Sequence, residues 1–188
     1  MKHIKKRVKI NNQGLTLMEL IVTIAIIGIF GVVVMSFVTS GANFYRQASD
    51  TSTVQRNMQM TLDQIENLVM DTNKSIRYSV GGQATQNDLG SQDRQEKILI
   101  LESVQDDSQQ HKDILRWHPD EKKLYCNYNS DRATDEKVMA ENVSAFSVDI
   151  SQAVSDGIVR FQLTIQKRDK EITQTYTVTL RNQLGAES

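Results

Sequence analysis

The chain opens polar and lysine-rich, then turns apolar without interruption. Residues Leu15 to Val38 read LTLMELIVTIAIIGIFGVVVMSFV, a run of 24 residues. In helical form that run spans roughly 36 Å at about 1.5 Å per residue. A hydrocarbon core is about 30 Å thick, so the run can cross it with some tilt. It is apolar on all sides, unlike a core helix with one buried stripe. The pattern then becomes a stripe. Phe44, Ala48, Thr51, Val54, Met58, Leu62, Ile65 and Val69 recur at steps of three and four, one face of an amphipathic helix. Arg46, Gln47, Asp50, Gln55, Arg56, Asp63 and Glu66 lie between them. No proline interrupts from Leu15 to Val69. The pattern therefore predicts one helix from Leu15 to about Asn73, roughly 88 Å long.

Downstream the period shifts from helical to alternating. Arg77 to Val80 and Lys97 to Val104 read as strands, with polar Gly81 to Glu96 between them as a mobile loop. Asp113 to Trp117 and Lys123 to Tyr128 flank His118-Pro119-Asp120-Glu121-Lys122, a hairpin with turn chemistry. Phe146, Val148 and Ile150 alternate, as do Val159, Phe161, Leu163 and Ile165, then Tyr176, Val178 and Leu180. Period two makes these half-buried strands. Ser155-Asp156-Gly157 and Arg168-Asp169-Lys170 join them as antiparallel turns. The expected fold class is α+β, a long helix packed on an antiparallel sheet.

Charge sharpens the picture. The whole chain is near neutral, with a net charge of −1. Yet Lys2, Lys5, Lys6, Arg7 and Lys9 precede the apolar run with no acid among them, and the remainder holds 17 basic against 23 acidic residues, a balance of −6. A basic head before a membrane-length helix predicts a cytoplasmic N-terminus and an exported body. The acidic balance of that body argues against strong phosphate binding. The single cysteine, Cys126, excludes an intramolecular disulfide and a cysteine-built zinc site. A free thiol on an exported protein is expected to be buried.

Glu19 breaks the apolar run. A carboxylate at membrane depth costs about 2.5–3.5 kcal/mol on insertion scales, and less near an interface. No lysine or arginine stands at helical spacing to neutralise it. Either it reaches the headgroups or it awaits a positive charge from another subunit. The surrounding order is Gly14, then Leu15-Thr16-Leu17-Met18-Glu19, then the apolar helix. This resembles the leader of type IV pilins and pseudopilins, in which glycine, an apolar residue, threonine, leucine, any residue and glutamate follow one another. The resemblance implies cleavage by a prepilin peptidase between Gly14 and Leu15, and N-methylation of Leu15. Leu15 departs from the phenylalanine most common there. The freed α-amine has a pKa of about 8 in water. Glu19 of a neighbouring subunit can pair with that amine, and low dielectric raises the value of the pairing.

The resemblance divides the chain into a leader at 1–14, a transmembrane and assembly half-helix at 15–39, an amphipathic half-helix at 40–73, and a sheet ectodomain at 74–188. It implies a single-pass protein of the inner (cell) membrane that enters a pilus or pseudopilus. Its partners would be other pilin subunits, the prepilin peptidase and an inner-membrane assembly platform. Ser36 stands where many major pilins have proline, which fits a minor subunit. The stretch Met139 to Ile150, MAENVSAFSVDI, resembles J-type minor pseudopilins of type II secretion and related Gram-positive minor pilins. Some tip-capping pseudopilins lack the glutamate that Glu19 supplies. A secretory signal peptide cut after Ser40-Gly41-Ala42 is the competing reading, but its apolar region would be about 7–15 residues and free of glutamate.

No catalytic constellation is visible, so the chain is not expected to be an enzyme. No P-loop, G-x-S-x-G or G-x-G-x-x-G occurs. His111 and His118 with Asp113 or Cys126 match no zinc spacing, and His3 lies in the leader. His118 reads as a solvated turn residue. Asn87, Asp88 and Asp93 offer oxygen ligands for Ca²⁺ without the EF-hand order, so no cofactor is expected beyond that one candidate. Trp117 and Tyr125 are expected to touch across strands. Arg160, Lys167, Arg168 and Lys170 form a local basic run. It leaves one alternative function, a membrane-anchored binding module for DNA uptake or surface adhesion. Nucleic acid is the less favoured partner given the charge balance.

Overall fold

The computed structural model describes residues 16–91, 94–104, 110–129 and 135–184. Among the described residues one helix, α1 (Leu17–Met70), is followed by nine strands: β1 (Ser75–Val80), β2 (Gln83–Ala84), β3 (Lys97–Val104), β4 (Gln110–His118), β5 (Lys123–Asn127), β6 (Lys137–Glu141), β7 (Val143–Asp149), β8 (Ile158–Lys167) and β9 (Lys170–Thr179). The arrangement is α+β, with the helix packing on antiparallel sheet. The chain divides into two compact units, the first ending at Gln47 and the second beginning at Ala48.

In the first unit, helical residues 17–47 are exposed throughout. Leu20 to Tyr45 carries no charged residue, and the helix is long and apolar enough to cross a membrane. Its threonines close back on the helix. Thr23 Oγ1 donates to the Glu19 carbonyl at 2.6 Å, and Thr39 Oγ1 to that of Met35 at 3.0 Å. A polar side chain in an apolar helix is satisfied in this way without a partner.

In the second unit, α1 buries Val54, Met58, Leu62, Ile65 and Val69 in the core. The expected stripe is therefore shorter than its sequence period: Ala48 is exposed, as is Phe44 at 72%. Burial begins at Val54. Tyr176 on β9 donates its phenol to Glu66 at 2.9 Å, which ties the packed part of α1 to the sheet it covers.

The strands form two sheets where one was expected. The larger runs β2-β1-β3-β4-β5-β6, and the smaller runs β7-β8-β9. A single residue, Asn142, carries the chain from β6 to β7. Its φ of +62° turns the backbone out of the first sheet, a conformation that asparagine tolerates better than most residues. Period two holds along β8 and β3 but not along β7, where Phe146 to Asp149 are all buried and Ile150 lies past the strand's end. Val159, Phe161, Leu163 and Ile165 are buried along β8, and Leu99 and Leu101 along β3.

The segment read as a mobile loop is pinned over most of its length. β2 pairs with β1, Asn87 bridges to Asp149, and Ile150 N–H donates to the Gln86 carbonyl at 2.7 Å. The physical reason is a buried ion pair. Lys97 Nζ donates to Asp88 Oδ2, and the two side chains are only 1% and 8% exposed. Asp88 Oδ1 accepts from Val148 N–H at 2.8 Å, and Lys97 Nζ also meets Ser147 Oγ at 3.2 Å. Lys97 lies 5.5 Å over the Trp117 ring. Burial first, then the Asp88 carboxylate, hold the neighbouring Tyr78 phenol above its ordinary range.

Trp117 and Tyr125 do not meet. The β4–β5 register sets Trp117 opposite Leu124 and Arg116 opposite Tyr125. The two aromatic residues therefore point to opposite faces. Tyr125 packs edge-on against His118, with ring centroids 5.3 Å apart. His118 is the last residue of β4 rather than part of the turn. Trp117 points inward, and its Nε1 donates to the Val143 carbonyl at 3.0 Å.

Candidate functional site at the start of the apolar helix

Helix α1 starts at Leu17 with Thr16 as its cap. Thr16 Oγ1 accepts from Glu19 N–H at 3.3 Å, and the Thr16 carbonyl accepts from Leu20 N–H at 3.1 Å. Thr-x-x-Glu is the capping-box order, in which threonine satisfies an orphan N–H and the glutamate can reach back to the cap. The Thr16 cap was legible in the sequence as a threonine three residues before a glutamate.

Among the described residues no side chain pairs with the Glu19 carboxylate. The carboxylate sits in the first turn of the helix, where the helix dipole favours negative charge. It is exposed. Gly14 and Leu15, the residues of the expected cleavage and methylation, lie outside the described residues, as do His3 and the basic residues before the helix.

The other sequence candidates are dispersed or engaged. The basic run is partly neutralised within its own fold. Arg160 lies 3.7 Å from Asp149 and donates to Gln152 at 2.7 Å, while Lys167 and Arg168 both hold Asp50, at 3.4 and 2.7 Å. A phosphate would have to displace these partners. For Ca²⁺, the Asp88 oxygens are taken by Lys97 and Val148 N–H, and Asn87 Oδ1 by Leu89 N–H at 2.8 Å. Asp93 lies outside the described residues. Asp113 Oδ1 accepts from Asn129 N–H at 2.9 Å. Among the described residues no three His, Cys, Asp or Glu side chains gather as a metal site. Cys126 is buried, and burial pushes its thiol pKa up to about 12.

Residues 9–38 match the family model of the prokaryotic N-terminal methylation motif. The match covers Lys9, Gly14 to Glu19, and the apolar helix through Val38. It supports a type IV pilin-like prepilin and says nothing of the sheets. No curated protein and no solved structure matches the chain.

Proposed function

We propose that this chain is a minor pilin or pseudopilin, a non-catalytic structural subunit of a type IV pilus-like or type II secretion filament. The observation that carries the reading is a coincidence at one place. The methylation motif of residues 9–38 runs into an exposed helix that is free of charge from Leu20 to Tyr45 and whose first turn holds a carboxylate, Glu19, with no partner among the described residues. Prepilin peptidase cuts after Gly14, and Leu15 becomes the methylated N-terminus. The apolar helix anchors the subunit in the cell membrane, with the sheets on the exported side. An assembly platform then draws it out. Its Leu15 amine meets Glu19 of a neighbouring subunit, which fixes register, because a charge left unpaired in a low-dielectric filament core costs several kcal/mol, on the order of 3–5. Cys126, the histidines and the acidic loop take no part.

Intact mass of the protein recovered from membranes tests the processing. A start at Leu15 is expected, and a start at Asn43 would mean signal-peptide removal and sink the proposal. For assembly, Glu19→Ala is expected to leave processing unchanged while filament incorporation is lost. Normal incorporation of that variant would count against the pairing.

A further inference from the structure

We propose that Phe44, Tyr45 and Arg46 form a lipid-headgroup belt that sets the outer boundary of the membrane anchor. The inference rests on the membrane reading given above. Phe44 and Tyr45 are 72% and 77% exposed, and both belong to the first unit of the chain. Arg46 is the first charged residue after Glu19, and it has no ion-pair partner among the described residues.

Spacing places the three residues at the right depth. Leu20 to Val38 rises about 27 Å, close to the roughly 30 Å of a hydrocarbon core. From Val38 to Phe44 the helix climbs about 9 Å more. Helical side chains lean toward the helix N-terminus and cover the preceding turn. The rings at Phe44 and Tyr45 therefore lean back toward the bilayer, into the headgroup layer that adds roughly 5–7 Å on each side. Tyrosine, with its amphipathic ring, is among the residues enriched at that level. A guanidinium pairs readily with lipid phosphate.

Angular spread selects the occupant. Successive helical residues lie about 100° apart, so Phe44, Tyr45 and Arg46 together cover some 200° of the circumference. A partner helix would meet residues three, four or seven apart on one stripe. Three adjacent residues facing different ways suit a medium that surrounds the helix, and a phospholipid interface is such a medium.

The test uses the full chain in vesicles of phosphatidylethanolamine and phosphatidylglycerol. Single nitroxide labels are placed at Phe44→Cys, Tyr45→Cys, Phe30→Cys and Ser155→Cys. Cys126 is fully buried and stays unlabelled. Collision with dissolved oxygen reports lipid, and collision with a water-soluble nickel chelate reports water. Labels at 44 and 45 are expected to meet oxygen readily and the nickel chelate several-fold less than the label at 155. In a Phe44→Ser/Tyr45→Ser background, a label at Ser40→Cys is expected to gain nickel exposure. Nickel collision at 44 and 45 equal to that at 155 would overturn the belt. So would low collision with both reagents, which would place a second copy or another protein there. Free nickel access at position 30 would instead mean that the membrane reading itself had failed.

Discussion

Lys97 and Asp88 form a buried ion pair beside the point where Gln86, Asn87 and Asp88 lie against the edge of β7. Taking two charges out of water is offset only by good geometry and by further hydrogen bonds, which Ser147 and the Val148 N–H supply here. Asp88→Ala leaves an ammonium buried without a counter-charge. It is expected to lower stability by about 3–5 kcal/mol, the usual cost of breaking such a pair from one side. Replacing both, as Asp88→Asn with Lys97→Met, is expected to recover most of that loss. Urea unfolding of the three proteins checks this, and equal losses in the single and double variants would show that the charge itself is not the issue.

Asn142 connects the two sheets through a left-handed backbone. Asn142→Gly should hold or gain stability. Asn142→Ala should lose roughly 1 kcal/mol, since left-handed geometry is costly for a residue with a Cβ and no local polar group. Thermal melts of both variants decide it. A loss as large for glycine as for alanine would mean that the asparagine side chain, not the backbone, matters.

Glu102 on β3 is held below the ordinary glutamate range, first by the hydrogen bond from Ser75 at 2.7 Å; burial opposes this, and the Arg77 guanidinium adds to the lowering. A carboxyl whose folded pKa is depressed adds stability above its unfolded value of about 4.3. That stability is lost as pH falls through the lower folded value. Stability is therefore expected to decline below about pH 5 more steeply in the native protein than in Glu102→Gln. Parallel pH profiles of the two would reveal no role for this carboxylate.

The Cys126 thiol, pushed up to about 12 by burial, stays protonated across physiological pH. Thiolate is the reactive form. Folded protein is expected to resist maleimide at pH 8, and urea-unfolded protein to take one equivalent. Rapid labelling of the folded form, read by intact mass, would show that the strand carrying Cys126 opens locally.

Local periodicity carried most of this fold. β8 sets buried Val159, Phe161, Leu163 and Ile165 at period two, and β3 is an apolar run of strand length, so both strands could be read from side-chain type. β6 could not, because only Ala140 of its five residues is buried and no alternation survives. The split into two sheets was also hidden. It depends on the backbone of Asn142, and the motif Met139 to Val143 signals a turn without saying which sheet follows. The Trp117–Tyr125 expectation failed on register, which hydrogen bonding between β4 and β5 sets and side-chain type does not. Arg168 and Asp50 are 118 residues apart, so the pairing that quiets the basic run was invisible to sequence spacing. Glu19 was the reverse case. An isolated carboxylate in an apolar run is a local anomaly, and local anomalies are what a sequence displays best.

Trp117 is the only tryptophan in the chain, and it sits where β4 of the larger sheet donates to Val143 at the start of β7 in the smaller. All indole emission from this protein therefore originates at that one seam, beside an ammonium 5.5 Å from the ring. The molecule carries its own optical gauge. If the sheets part before the strands melt, fluorescence will change ahead of the circular dichroism. If the seam and the strands fail together, the two signals will superimpose.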